Sequence, residues 1–146
     1  KLKYQLHIYG KGSLQSKIID ISKKNTNIKY FGYVSHQEMA EIQSTSIANI
    51  CLRFSTNLNE NYFFPSKFFN FLSLPGHIIV NNFNNLPESV KNMCLVVNDD
   101  LDNLKILLNS INEKKINYQA RINWLDYNAS WNNIIMNIKN KIDLCE

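Results

Sequence analysis

The segment spanning residues 61–80 carries the residues of this chain that are best suited to chemistry. A proline at the first helical turn costs no hydrogen bond and fixes the entry angle, so Pro65 predicts the start of a helix. The free amides of Ser66, Lys67 and Phe68 would then point outwards at the positive end of the helix dipole. A diphosphate could accept hydrogen bonds from these amides and pair with the lysine charge.

Asn70 extends this polar group along the predicted helix. It follows Lys67 by three residues and Ser66 by four, so the three side chains share one helical face. The apolar residues of the helix are expected to pack it against the rest of the protein: Phe68, Phe69, Phe71 and Leu72. The residues alone fit two interpretations about equally well: a diphosphate site, or a buried helix whose polar stripe contacts other loops.

The overall composition is that of one folded globular domain. The chain has 146 residues, of which 45% are hydrophobic and 12% aromatic, and a net charge of +4. Its lysines are scattered, which makes nucleic acid a weak candidate and fits an anionic small ligand or an anionic membrane surface equally well. No apolar run reaches the roughly 18 residues of a membrane span. We expect a cytoplasmic protein, with peripheral association at the inner face of the membrane as an open alternative.

The cysteines, histidines and tryptophans are expected to be structural rather than functional residues. The cysteines lie far apart and are expected to be free thiols in a reducing compartment: Cys51, Cys94 and Cys145. The histidines have no carboxylate or cysteine at metal-ligand spacing, so we expect no metal site: His7, His36 and His77. Trp124 and Trp131 lie on predicted helices and are interpreted as core residues rather than ligand platforms.

Hydrophobic periodicity predicts strands that alternate with helices along almost the whole chain. The strands are predicted at residues 4–9, 28–31, 47–52, 77–80 and 94–97. The helices are predicted at residues 13–24, from Ser35, from Pro65, and at 86–90, 101–111, 118–125 and 130–142. This order predicts an α/β fold: a Rossmann-like parallel sheet with helices on both faces and further helices at the C-terminus.

Several polar residues are predicted to cap these helices. Ser13 is expected to cap the first helix, whose inward-facing side chains would be Leu14, Ile18, Ile19 and Ile21. Ser35 precedes the second helix, and Glu38 three residues later completes a capping box. Asn98 or Asp99 is expected to cap the helix that follows the fifth strand.

The loops that follow the strands should lie along one rim of the sheet, where ligands of such folds bind. These loops are residues 10–13, 32–35, 55–64 and 81–86. The Gly10-Lys11-Gly12 turn is a weak signal alone, because a tight turn is at least as common there as a phosphate contact. It also lacks the third glycine of a dinucleotide-binding fingerprint, which disfavours a Rossmann dehydrogenase.

Five motifs follow one another in a telling order: Leu6-His-Ile-Tyr-Gly-Lys-Gly12, Asn27-Ile-Lys-Tyr-Phe-Gly-Tyr-Val34, Ser35-His-Gln-Glu-Met39, Pro65 through Leu72, and a strand ending at Val80. In this order and spacing they resemble the C-terminal, donor-binding domain of a GT-B fold glycosyltransferase. The resemblance covers nearly the whole chain. It is closest to the group-4-like transferases that build bacterial surface polysaccharides.

The resemblance implies a function for the full protein. It would transfer a sugar from a UDP- or GDP-sugar to a glycan or lipid-linked acceptor, without a metal or other cofactor. The donor-binding residues would be Gly10, Gly12, Tyr33, Val34, Ser35, Tyr62, Ser66, Lys67 and Asn70. Within this set the loop 33–35 would hold the base partly through its main chain, Ser66 and Lys67 would face the diphosphate, and Asn70 would lie at the ribose.

The chain differs from the family in the residues that would bind the ribose. The family's pair of glutamates, eight positions apart, falls on Tyr62 and Asn70. An asparagine replaces one of two charge-assisted acceptors by a donor, a loss on the order of 1–3 kcal/mol. Glu60 is a weak candidate to replace the first glutamate. Either the donor binds differently, or the transferase is divergent, or activity is lost.

The resemblance also implies catalytic parts beyond these residues. In the family, an arginine and a lysine that stabilise the leaving diphosphate come from a first βα unit, which would precede Lys1, and the acceptor site lies in an N-terminal domain. We therefore expect a fragment of a longer two-domain chain, a single nucleotide-sugar-binding domain over residues 1–146 that does not turn over alone. The alternative is a nonenzymatic relative, a nucleotide-binding or partner-docking domain with a degenerate donor site. An epimerase would need a catalytic constellation that the sequence lacks.

Overall fold

A computed structural model describes residues 4–54, 65–83 and 85–143. The strands are β1 (Leu6–Tyr9), β2 (Ile28–Gly32), β3 (Ala48–Cys51), β4 (His77–Asn81) and β5 (Leu95–Val97). The helices are α1 (Gln15–Lys24), α2 (His36–Thr45), α3 (Lys67–Leu72), α4 (Glu88–Lys91), α5 (Leu104–Ser110), α6 (Tyr118–Ala129) and α7 (Trp131–Asp143). A short 3₁₀ helix, Ile111–Glu113, follows α5. The predicted α/β alternation and the C-terminal helices are confirmed.

The described strands form two parallel sheets rather than one continuous sheet. Sheet A contains β1 and β2, and sheet B contains β3, β4 and β5 in that order. All pairings are parallel, which confirms the Rossmann-like class. Within each sheet the strands that pair are consecutive and joined by a helix, whereas the connection through α2 passes from sheet A to sheet B.

The buried core is built around β4. All five of its residues are buried, and alternate side chains point to opposite faces of the sheet. Ile78 and Val80 pack on one face with side chains of α3, including Phe68 and Leu72. On the other face, Ile79 packs with two further buried residues, Val97 and Ile111. Sheet B is therefore covered on both faces, as a parallel sheet requires.

The part of the chain around sheet A is packed differently. No residue between positions 4 and 48 is fully buried. The predicted inward face of α1 is only partly correct, because Ile18 and Ile19 are half-buried whereas Leu14 is 62% exposed and Ile21 is 38% exposed. The helix therefore covers sheet A loosely.

The predicted caps have mixed outcomes. The capping box is confirmed: the Glu38 amide donates to Ser35 Oγ at 3.2 Å, and the Ser35 amide donates to Glu38 Oε2 at 2.8 Å. The Ser13 cap is wrong, because α1 begins two residues later and no side chain caps it. The amide of Gln15 instead donates to the carbonyl of Gly12 at 3.1 Å, so a backbone turn already precedes the helix.

The cap predicted at Asn98 or Asp99 is also wrong. The helix α5 begins at Leu104, and its preceding residue, Asn103, accepts a hydrogen bond from the Asn98 amide at 2.9 Å. The carboxylate of Asp99 accepts from the side-chain amide of Asn81 at 3.0 Å. The Asn98 amide therefore stabilises the turn after β5, and the Asp99 carboxylate binds the end of β4. Neither residue caps α5.

The two tryptophans of the C-terminal helices lie in different environments. Trp124 is half-buried on α6, packs on the core beside α3 and donates to Ser89 Oγ at 3.2 Å. Trp131 is 78% exposed at the start of α7, so its predicted core role is wrong. The helix α7 packs against α6 and turns this residue to the outside. None of the helices in the described ranges is long and apolar enough to cross a membrane.

Arg121 of α6 is the largest fully buried side chain. Its guanidinium donates to the carbonyls of Gly76 at 2.6 Å, Met93 at 3.1 Å and Leu74 at 3.3 Å. These carbonyls lie just before β4 and β5, so one side chain ties α6 to the amino ends of two strands. Burial lowers the pKa of Arg121 and raises the pKa of the nearby Cys94 to about 12. Cys94 is thus a protonated thiol, and Cys51 and Cys94 are both free, as predicted.

Candidate functional site

Two glycines shape the carboxyl end of sheet A. Gly10 follows β1 with φ +122°, and Gly32 ends β2 with φ +73°, conformations that disfavour any side chain. The amide of Gly10 donates to the carbonyl of Gly32 at 2.7 Å. The hydroxyl of Tyr30 donates to the Gly10 carbonyl at 2.6 Å. The loops after the two strands are therefore fixed against each other.

Lys11 and Tyr33 meet across these loops. The ammonium nitrogen of Lys11 lies 5.3 Å from the centre of the Tyr33 ring, within cation–π range. Tyr33 is 64% exposed, so its ring remains open to a ligand on the outside. The loop that the resemblance assigns to the base is thereby joined to a cation beside the glycine turn.

A small pocket lies beneath the glycine turn. It has a volume of about 120 Å³ and is lined by the turn, by neighbouring β-strand residues and by the first turn of α1: Ile8, Tyr9, Gly10, Lys11, Gly12, Leu14, Gln15, Ile18 and Tyr30. Pockets that enclose drug-sized ligands measure about 300–1,000 Å³. This pocket is therefore too small to enclose a nucleoside.

The α3 segment departs from its predicted geometry at its start. The helix begins at Lys67 and is six residues long, with Ser66 as its preceding residue and no side-chain cap. The amide of Phe68 donates to the carbonyl of Pro65 at 2.9 Å, so the prediction of a free Phe68 amide is wrong. The reason is a tight backbone turn at Pro65, which satisfies this donor before the helix begins.

The polar face predicted on α3 is present. Ser66, Lys67 and Asn70 are all exposed, whereas Phe68 and Leu72 on the opposite side are fully buried. Burial raises the pKa of Cys51, at the end of β3, and the charge of Lys67 partly offsets that rise. The helix α3 contacts β3, the strand that ends at Cys51.

The structure thus divides the assigned donor residues between two places. Gly10, Gly12 and Tyr33 lie at the end of sheet A, and Ser66, Lys67 and Asn70 lie on α3 beside sheet B. Within the described ranges, no hydrogen bond or ring contact joins the two groups. Val34 is half-buried, and the main-chain amide of Ser35 is occupied by the capping box. Glu60 and Tyr62 lie outside the described residues.

A polar group that the sequence did not single out ties together the carboxyl ends of sheet B. Asn81, at the end of β4, is only 2% exposed. Its oxygen accepts from the Arg53 amide at 2.7 Å, and its nitrogen donates to the Arg53 carbonyl at 2.5 Å and to Asp99 Oδ1 at 3.0 Å. One amide thereby fixes the chain after β3 and after β5. The available signal was an asparagine directly after the apolar run of β4.

Two lysines, Lys11 in the loop after β1 and Lys67 at the start of α3, are exposed. Over the ranges that the structure covers, no three of the His, Cys, Asp and Glu side chains are grouped as metal ligands. The sequence matches no model of a known protein family and no curated protein.

Proposed function

We propose that this chain is the donor-binding domain of a glycosyltransferase. The full protein would transfer a sugar from a UDP- or GDP-sugar to a glycan or lipid-linked acceptor, in the cytoplasm or at the inner face of the membrane. The chain would supply the nucleotide-sugar site and stabilise the departing diphosphate electrostatically. Residues elsewhere would supply the acceptor site and the remaining catalytic groups.

The observation that carries this proposal is the joined end of sheet A. The hydrogen bond from Gly10 to Gly32 brings the glycine turn beside the loop that begins at Tyr33. Lys11 supplies a positive charge at that junction, 5.3 Å from an exposed aromatic ring. A ligand with a planar base and a phosphate fits this combination, since the ring offers a stacking surface and the lysine an ion pair.

The polar face of α3 supports the diphosphate part of the proposal. Lys67 is exposed at the start of α3, a helix that contacts β3. Asn70, one turn further on, offers an amide to a ribose diol. Because an amide is a poorer partner for a diol than a carboxylate, we expect nucleotide affinity to be modest.

Calorimetric titration of the purified chain with UDP, GDP and their sugars tests the proposal. We expect saturable binding in the micromolar to millimolar range for at least one nucleotide. Lys11→Ala and Lys67→Ala should each weaken it by about five- to tenfold, the loss of one charge-assisted contact. Lys105→Ala, which removes an exposed lysine from α5, is the matched control and should bind as the wild type does. Absence of binding to any of these ligands at millimolar concentration would contradict the donor site.

The second candidate is a nonenzymatic nucleotide-binding or partner-docking domain, and Asn70 is the observation that favours it. A partner-docking domain predicts no nucleotide binding, whereas a nonenzymatic nucleotide-binding domain predicts binding as the first candidate does, so transfer activity has to separate those two. A longer natural polypeptide that contains this chain should transfer radiolabelled sugar from a donor that the chain binds. Binding without transfer would favour the second candidate. Transfer by the 146 residues alone would contradict the expectation that catalytic groups come from elsewhere.

A further inference from the structure

The buried side chain of Asn81 joins the carboxyl ends of the three strands of sheet B. Asn81 is the last residue of β4, and it accepts from the Arg53 amide and donates to the Arg53 carbonyl and to Asp99. Arg53 lies two residues beyond the end of β3, and Asp99 lies two residues beyond the end of β5. One amide therefore fixes the chain on both sides of β4, at the end of the sheet where ligands of such folds bind.

The main chain of Asn81 extends this arrangement to α3. The Asn81 carbonyl accepts from the amide of Phe83 at 3.1 Å. The buried ring of Phe83 packs edge-on against the buried ring of Phe68, with ring centres 6.4 Å apart and planes at 88°. Phe68 directly follows Lys67, the first residue of α3. The turn after β4 therefore contacts the part of α3 that carries this lysine.

The three side-chain hydrogen bonds of Asn81 require an amide. Its oxygen accepts one hydrogen bond and its nitrogen donates two, which uses both hydrogens of that nitrogen. An apolar side chain would leave the main-chain groups of Arg53 without this partner. An aspartate has the same shape, but its ionised carboxylate donates nothing and would face the carboxylate of Asp99.

We propose that Asn81 is a positioning residue of the nucleotide site and acts through Lys67. Asn81 itself does not contact the nucleotide. Its amide fixes the ends of the strands, and its carbonyl fixes Phe83, against which α3 packs. Lys67 is thereby held in place before the diphosphate binds, which avoids the cost of ordering it during binding. The inference rests on the proposed function, because it requires Lys67 to contact the nucleotide.

A double-mutant cycle on nucleotide affinity tests this role. Calorimetry measures the binding of UDP and of GDP to the wild-type chain, Asn81→Asp, Lys67→Ala and the double variant. Asn81→Asp should weaken binding about five- to tenfold, as Lys67→Ala does. In the Lys67→Ala background, Asn81→Asp should change the affinity by less than about twofold, since the group that it positions is then absent.

A second substitution at the neighbouring carboxylate provides a rescue. Asp99→Asn, added to Asn81→Asp, replaces the repulsion of two carboxylates by a pair in which an amide donates to a carboxylate. The combined variant should recover part of the lost affinity. If circular dichroism shows that Asn81→Asp is unfolded, Asp99→Ala, at an exposed position, takes its place in the cycle. It should weaken binding about two- to threefold, since it removes one of the three hydrogen bonds.

Ile111→Ala is the control that separates positioning from a general loss of stability. Ile111 is buried on the face of sheet B opposite to α3. Its replacement should therefore lower the midpoint of urea unfolding and leave nucleotide affinity within about twofold of the wild-type value.

The outcomes separate this inference from the proposed function. A wild-type chain that binds neither nucleotide contradicts both. Binding that Lys67→Ala weakens and Asn81→Asp leaves intact contradicts only the role of Asn81. Equal losses from Asn81→Asp with and without Lys67, or an equal loss from Ile111→Ala, also overturn that role, because Asn81 would then act only through the fold as a whole.

Discussion

The two halves of this chain contrast sharply. The half around sheet B holds a fully buried strand with apolar side chains packed on both of its faces. The half around sheet A, residues 4–48, has the same alternation of strands and helices but no fully buried residue. Regular secondary structure therefore does not by itself make a core. In this molecule the buried core lies at sheet B, and sheet A carries exposed loops, an exposed aromatic ring and a lysine at its end.

The contrast predicts that stability is lost mainly by changes near sheet B, and Arg121 should have the largest effect. Replacing Arg121 by alanine removes one buried and two part-buried hydrogen bonds to main-chain carbonyls and leaves a cavity. We expect a loss of about 3–5 kcal/mol in the free energy of unfolding, measured by urea denaturation. Lys105→Ala is the exposed control. A loss below about 1 kcal/mol would mean that Arg121 does not hold the strand ends together.

A matched pair of isoleucines compares the halves directly. Ile79 is fully buried on β4, and Ile18 is half-buried on α1 beneath sheet A. Ile79→Ala should cost about 2–5 kcal/mol, the range for a buried isoleucine. Ile18→Ala should cost roughly 1 kcal/mol or less, because much of its surface already faces water. Equal losses in urea denaturation would show that both halves share one level of packing.

His77, the first residue of β4 in sheet B, should make the free energy of unfolding depend on pH. Burial lowers the pKa of His77, and the charge of Arg121 lowers it further. The folded state therefore favours the neutral imidazole. Stability from this group is complete above its ordinary pKa of 6.5 and declines as the pH falls below that value towards the folded pKa. Unfolding followed between pH 7 and 5 should show this decline, and His77→Gln should reduce it; an unchanged slope would rule out His77 as its source.

The smallest expected effect lies near sheet A, at the cap of α2. Ser35→Ala removes a hydroxyl that accepts a hydrogen bond from the Glu38 amide. We expect the free energy of unfolding to fall by about 1 kcal/mol. Ser13→Ala is a matched control, because the structure gives Ser13 no capping role. Thermal unfolding of the two variants side by side measures the difference. A larger loss for Ser13→Ala than for Ser35→Ala would reverse our assignment of the two caps.

Local features of the sequence were predicted well where short-range physics decides them. The run His-Ile-Ile-Val predicted β4, because a continuous apolar run suits a strand that is buried on both faces. The spacing of Ser35 and Glu38 predicted a capping box, because its two hydrogen bonds involve residues three apart. The N-cap predicted at Ser13 failed, since the preceding Gly12 already forms a backbone turn with Gln15.

Features that depend on distant residues were missed. Arg121 bonds carbonyls 28 to 47 residues away, and nothing in its local sequence distinguishes it from an exposed helical arginine. Asn81 bonds Arg53 across 28 residues for the same reason. The division into two sheets also depends on which strands pair, and periodicity does not reveal that. The candidate rim was predicted as a set of loops, whereas the contact between Lys11 and Tyr33 required the structure.

We propose that the joined end of sheet A, together with the exposed face of α3, binds a nucleoside diphosphate. Amide chemical shifts of the isotope-labelled chain, followed during titration with UDP and with GDP, test it most directly. We predict saturable shifts at residues 10–12, at Tyr33 and at Lys67, with β4 unaffected. Shifts confined to other surfaces, or none at millimolar nucleotide, would contradict it.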